Sequence, residues 1–404
     1  MPTFGPIVSG LLLLVVAASA TGVAAQDSPV RVSVDQLQLV LTGLKGQSDR
    51  DVAGQIGALG LTERLSAVRL QRLNADLPGD KSRQALLAVA DASAFLDLPA
   101  GDVLQTPRPD AATQGRILSQ ATDFVVATVT KMPNFLASRT TTRFTDVELT
   151  RLSGTPAMAV PGDAVTVTTT ITFGNGFHFN FVDRHTTGVV YRDGKEVTGT
   201  GEGKKARAIA PGDSGLSNWG VFGPLLGLVM SDVLKGKIGW GHWEAGPTGP
   251  LAVFRYAVAA EKSGYSVNYC CFEESDPAKR TYSAIAGYHG EIAVDPESGA
   301  VMRLVVKTEL APTLAIVRAD VAVEYIPVEI GGKSFICPVK SIAISKAIDR
   351  LPASMVWNDS KTGIPAYLPR VTAINDAVFE NYHQFRSEVR LLPGADAATT
   401  EPAK

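Results

Sequence analysis

The stretch richest in groups that could do chemistry is Phe177-His178-Phe179-Asn180-Phe181-Val182-Asp183-Arg184-His185. Its aromatic and β-branched neighbours predict a strand. A period of two then puts Phe177, Phe179, Phe181, Asp183 and His185 on one face, and His178, Asn180 and Arg184 on the other. Asp183 with His185 is a carboxylate–imidazole pair of the kind used in general acid–base hydrolysis. His178 points away from that pair, so the three make no metal site unless a bulge intervenes. Strand periodicity accounts for the pattern without any ligand, and the three phenylalanines then form an apolar wall.

The other candidates are weaker. His242 stands between Trp240 and Trp243, His289 lies in Gly287-Tyr288-His289-Gly290, and His383 follows Tyr382. Lone strand histidines of this sort are packed more often than they are catalytic. No HExxH helix and no Gly-x-Ser-x-Gly elbow occurs. Gly199-Thr200-Gly201-Glu202-Gly203-Lys204-Lys205 partly matches a phosphate loop but lacks the first glycine and the Ser/Thr after the lysine. Trp219, Trp240, Trp243 and Trp357 fit a core or a rim better than a sugar platform. No cofactor is expected.

The cysteines are Cys270, Cys271 and Cys337. Adjacent strand residues face opposite ways, so only Cys270 or Cys271 could meet Cys337. In a simple meander their strands lie roughly 19 Å apart, at about 4.8 Å per strand, whereas a disulfide needs Cα atoms within about 7 Å. Strong curling of the sheet is the condition for either pairing.

Around these residues, the chain divides by period. Residues 30–105 carry short apolar repeats of helical spacing with polar joints: Leu37, Leu41 and Leu44; Val52, Ile56 and Leu59; Leu65, Val68 and Leu73; and the run from Ala85 to Leu96. Pro99, Pro107 and Pro109 mark a linker, and residues 106–138 contain a longer connecting helix. From Arg139 to about residue 392 the period changes to two. Asp193-Gly194, Asp295 to Gly299 and Gly331-Gly332 mark hairpin turns. Trp219, Phe222, Leu225, Leu226, Val229 and Val233 interrupt the strands at helical spacing. Val371 to Leu391 alternates in part and reads as a last long strand, and residues 393–404 as a loose tail. The fold class expected is α+β: helices first, then a strongly curved antiparallel half-barrel whose concave face an apolar helix covers.

Composition sets the outer limits. The 404 residues carry 38 Lys+Arg against 40 Asp+Glu and are 45% hydrophobic, which excludes a disordered chain. With no basic block, nucleic acid is not an expected partner. Leu11 to Ala18 is too short to span a bilayer, and small residues follow it, as in a secretory signal over residues 1–25. Cleavage is expected after Ala20 or Ala25, giving a periplasmic or secreted protein with no integral membrane span.

The signal, the meander from Tyr265 to Ser345 and the helix at 219–234 together resemble the lipoprotein-carrier-like (LolA-like) half-barrels. GPLAVFRYAV, YHGEIAVDPESGAVMRLVV and VEIGGKSFICPVKSIAIS are also similar to segments of uncharacterised exported bacterial proteins with an N-terminal helical region. The resemblance implies a concave apolar surface able to hold an acyl chain or a partner segment. It does not by itself imply lipoprotein transport.

The expectation is therefore a non-enzymatic exported protein. It would bind a lipid or other apolar ligand, or a protein segment, through Phe177, Phe179, Phe181, Trp219, Phe222 and Leu226, and would contact a protein partner through its N-terminal helices. The alternatives are an exported hydrolase using Asp183 and His185, and a purely structural envelope protein.

Overall fold

The computed structural model describes residues 30–151, 169–173, 178–197, 215–216, 220–270, 281–312, 314–348 and 370–384. The signal region, Phe177, Trp219, Cys271, Trp357 and the tail lie outside them.

The N-terminal region holds strand β1 (Val30–Val32), helices α1 (Val34–Gly43) and α2 (Asp49–Gly57), strand β2 (Leu59–Leu61), and helices α3 (Ala67–Ala75) and α4 (Asp80–Ser93). Ser33 caps α1 in a capping box with Gln36, and Ser48 caps α2. Helix α4 is capped from a distance: Asp49 accepts from the backbone N–H groups of Ser82 (2.9 Å) and Lys81 (3.1 Å). A Cβ at Gly79 would press on that carboxylate, so glycine there leaves room for the cap. Val34, Leu37, Val52, Ile56 and Leu86 close a small core.

Strand β3 (Val103–Leu104), helix α5 (Ala111–Lys131) and strands β4 (Phe135–Thr145), β5 (Val147–Arg151), β6 (Thr169–Phe173), β7 (Asn180–Arg192), β8 (Lys195–Val197) and β9 (Gly215–Leu216) follow. Then come helix α6 (Pro224–Val233), β10 (Lys237–Ala245), β11 (Pro250–Val258), β12 (Ser266–Cys270), β13 (Thr281–Ile285), β14 (Gly287–Val294), β15 (Val301–Glu309), β16 (Ile316–Ile330), β17 (Lys333–Ile348) and β18 (Arg370–Gln384). Eleven strands form one open antiparallel sheet in the order β3-β10-β11-β14-β15-β16-β17-β18-β4-β7-β8.

The hairpin turns behave as their sequences predict. Asp193 and Gly194 both have positive φ (53° and 78°), as do Gly331 and Gly332 (61° and 79°), the two-residue geometry that matches strand twist. The meander from Tyr265 to Ser345 is broken, however. Strands β12 and β13 leave it and form a separate sheet with β9. The linker also contributes to the sheet, since β3 pairs with β10 at Val103 and Leu104. The least local pairing joins β18 to β4, with Val378 opposite Thr140.

Both faces of the sheet are covered. On one face Leu304, Val306, Val321, Val323, Ala343 and Phe379 pack with residues of α5 and α6. On the other, Val305, Ala322, Ile342 and Ile344, their sequence neighbours, pack together with Ile374 and with Ala88 and Phe95 from the N-terminal region. That is why Val301 to Val306 is buried without a break rather than at alternate residues. The expected picture had one helix covering one face; the N-terminal helices cover the second. The sheet is densely packed on the α6 side: Gly290 lacks a side chain where a Cβ would overlap the Val305 carbonyl, and Tyr256 donates to that same oxygen at 2.7 Å.

Candidate functional site

The expected site residues do not form one wall. A bulge at Val182 shifts β7 by one residue, so Phe181 pairs with Phe144 but Asp183 pairs with Arg143. Phe181 therefore lies on the face covered by the N-terminal helices, near Phe144 (ring centroids 6.3 Å apart), while Asp183 and His185 lie on the opposite face. This corrects the assignment of all of them to one face. Phe179 is buried against Phe144 and Ile374 on the same side as Phe181, which is 43% exposed. Phe222 and Leu226 sit on the α6 side, buried among Phe135, Tyr191 and Phe379. Phe222 lies 5.1 Å from Phe379 and 5.4 Å from Phe135 by ring centroids. These two residues are core. Phe177 and Trp219 lie outside the described residues.

Asp183 and His185 do share a face, but Arg143 takes the carboxylate. Its Nε donates to Oδ1 at 2.8 Å and its Nη2 donates to Oδ2. The Arg143 hydrogen bond is the main reason the Asp183 carboxyl is held below its ordinary range. His185 Nδ1 is 3.7 Å from Asp183, beyond hydrogen-bond reach. His289 pairs with Glu309 at 3.3 Å on the surface. Trp240 and Trp243 pack edge to face, with Trp243 donating to the Pro107 carbonyl, so they secure the linker.

Cys337 is a free thiol, so it does not form the disulfide with Cys270 or Cys271 that a strongly curled sheet would have allowed. It is on β17 of the main sheet, whereas Cys270 ends β12 of the separate one. Burial pushes the Cys337 thiol up to about 12.

The strongest candidate site is a cleft of about 590 Å³ between the N-terminal helices and the sheet. Helix α3 with Leu65 forms one wall, Ala90 and Ala94 another, and Ala322 and Ile342 the floor. Val68, 59% exposed, and Ile326 stand at its edge. Helix α3 has no fully buried side chain, and a second hollow of about 630 Å³ lies on its α1 side. It is held by Arg69, which binds Asp35 and Asp102, each at 2.6 Å.

Charged groups also line the cleft, and Glu324 is the cross-strand partner of both Arg303 and Lys340. Arg64 Nη2 is 2.6 Å and Arg303 Nη2 is 2.7 Å from Glu244 Oε2. Arg303 also reaches Glu291 at 3.2 Å, and His242 lies 3.7 Å from Glu244. Burial alone would raise the Glu244 carboxyl; Arg303, the nearby His242 and Arg64 outweigh it and hold it well below the carboxylate range. Lys340 Nζ lies 2.7 Å from Asp91 and 3.5 Å from Asp376. Burial first, and the neighbouring Asp376 second, push Asp91 up to about 8, against the pull of Lys340.

These charges come from several strands and two N-terminal segments, so no local motif unites them. Their signal is nonetheless present in the sequence. Four of them are single charges inside apolar runs: Asp91 in LAVADAS, Arg303 in VMRLVV, Lys340 in PVKSIAI and Asp376 in AINDAVF. Charged residues in such runs are buried only when paired, so each announces a partner elsewhere.

Among the described residues no group of His, Cys, Asp or Glu is placed to hold a metal ion, and no helix is long and apolar enough to cross a membrane. What the cleft offers is largely aliphatic surface with a row of charged side chains among it. Comparison with protein-family models, with curated proteins and with solved structures finds no match to this chain.

Proposed function

We propose that the chain is an exported, non-enzymatic binding protein that holds an apolar ligand, a lipid or acyl chain, in the cleft between its N-terminal helices and its sheet. The observation that carries this is the cleft itself. Its volume of about 590 Å³ falls within the range of small-molecule sites, and its walls and floor are largely aliphatic. This moves the ligand from the α6 side, where Phe222 and Leu226 are packed, to the opposite face of the sheet. We read the open sheet as a half-barrel with α6 on its concave face, as the LolA-like resemblance implies; the burial of Leu226, Val229 and Val233 against it supports that reading. The protein-segment and purely structural alternatives predict no small ligand in the cleft.

The test is native mass spectrometry of the protein isolated without detergent, alongside an Ala67→Trp variant. Ala67 is exposed on α3 and lines the cleft, so the indole fills the opening without disturbing the core. Extra mass that leaves on organic extraction and is missing from the variant supports the proposal. Extra mass unchanged by the variant, or a bare chain that takes up no added lipid, refutes it.

A further inference from the structure

A smaller hollow of about 270 Å³ lies where β2 and α4 meet β16, β17 and β18. Arg31, Arg318 and Lys346 line it, and among the described residues no carboxylate does. Arg318 is directly opposite Lys346 on the neighbouring strand, and Lys346 is opposite Thr372 on the next. The three therefore stand in a row on one face of the sheet, and like charges directly opposed destabilise a strand pair. Arg318 is fixed in place: its Nε donates to Asp320 at 2.7 Å, and its guanidinium lies over the Phe95 ring, 5.3 Å from the centroid. Asp320 also accepts from the Thr308 N–H. The Nη groups of Arg318 keep no acceptor among the described residues, and half-buried Lys346 forms no ion pair or hydrogen bond among them. Thr372 is 3% exposed; its N–H donates to Asp146 at 2.7 Å, but its buried Oγ1 has no hydrogen-bond partner.

We propose that this hollow binds a phosphate group, free or on a small ester. The inference does not depend on what the cleft holds. An anion beside Arg318 and Lys346 replaces their mutual repulsion with two charge-assisted contacts. It also gives the Thr372 hydroxyl the partner that a buried polar group requires. The set of donors favours phosphate over a carboxylate. The flat fork of Arg318, the Lys346 ammonium and the Thr372 hydroxyl stand on three neighbouring strands. A tetrahedral anion presents an oxygen to each of them, whereas a planar carboxylate has two oxygens to divide among three donors.

The experiment is calorimetric titration of the full chain with inorganic phosphate, glycerol 3-phosphate and acetate at one fixed ionic strength. The better of the two phosphates is expected to bind about tenfold more tightly than acetate, the size of one good charge-assisted contact, and which one it is tells free phosphate from an ester. Lys346→Gln should weaken that binding about tenfold, and Thr372→Val, which keeps the shape of the side chain, should weaken it less. Urea denaturation gives a second readout. Without phosphate, Lys346→Gln should unfold at a midpoint no lower than the parent chain, because the repulsion from Arg318 is relieved. Phosphate should then raise the midpoint of the parent and not that of the variant. No binding of either phosphate, acetate binding as tight as phosphate, or phosphate binding that survives Lys346→Gln overturns the proposal. A phosphate-free midpoint of Lys346→Gln well below that of the parent overturns it too, since the lysine would then already have its anion within the chain.

Discussion

Replacing Glu244 by glutamine tests whether buried ion pairs fasten the N-terminal helices to the sheet. Glu244 accepts from Arg64 at 2.6 Å and from Arg303 at 2.7 Å, and all three side chains are largely buried. In Glu244→Gln, Arg303 keeps Glu291 at 3.2 Å, but Arg64 loses its ion-pair partner. Stranding a buried charge costs about 3–5 kcal/mol. The glutamine carbonyl still accepts one hydrogen bond, so a loss of about 3 kcal/mol is expected. In urea denaturation followed by circular dichroism, that loss lowers the midpoint by about 1 M. The double variant Arg64→Met/Glu244→Gln should be more stable than Glu244→Gln alone, because no charge is then left stranded on the helical side. The pH dependence has a definite sign. The folded-state pKa of Glu244 lies below its unfolded value, so its contribution is fully present above the unfolded value of about 4.5 and is lost as pH falls below it. Glu244→Gln should flatten that acid limb. A loss below about 0.5 kcal/mol, typical of a screened surface pair, would refute the reasoning. So would a double variant less stable than the single one.

Three further predictions follow from the packing and the buried charges. Asp91 titrates near 8 when folded, well above its unfolded value, so its contribution to stability is greatest below about pH 4 and is lost as pH rises through 8; Asp91→Asn should therefore gain on the parent chain between pH 5 and pH 9, and a pH-independent difference in urea midpoints would reject this. Cys337, buried and with its thiol pushed up to about 12, should stay unlabelled by iodoacetamide in the native protein and react in urea, as read by peptide mass; rapid native labelling would contradict its placement. Phe222→Ala should destabilise by about 3–5 kcal/mol, because it opens a hole among Phe135, Tyr191 and Phe379, and should speed hydrogen exchange across α6; a loss under about 1 kcal/mol would mean that α6 is not packed on the sheet.

Periodicity and turn chemistry depend only on near neighbours, and these were legible. The four short N-terminal helices, the helix at Pro224–Val233, the hairpins at Asp193-Gly194 and Gly331-Gly332 and the long last strand all follow from local spacing. The bulge at Val182 was not legible, because it adds one residue without changing composition, and that single residue sends Phe181 and Asp183 to opposite faces. The cap on α4 was hidden for another reason: its carboxylate comes from Asp49, far upstream.

The candidate site shows the same division. From the sequence alone come a helical first part and an antiparallel second part, together with lone charges in apolar runs that had to find partners. Only the tertiary structure decided which partners. The apolar strands could have packed one face and left the other wet, and the N-terminal helices could have stood apart. Their docking on the second face sets Asp91 against Lys340 and Arg64 against Glu244, and it leaves the cleft between them. The physical reason is separation along the chain. Asp91 and Lys340 lie about 250 residues apart, and nothing in the local conformation of either encodes that distance. The pair forms only when two apolar surfaces close around both charges, and burial then makes each the other's necessary partner.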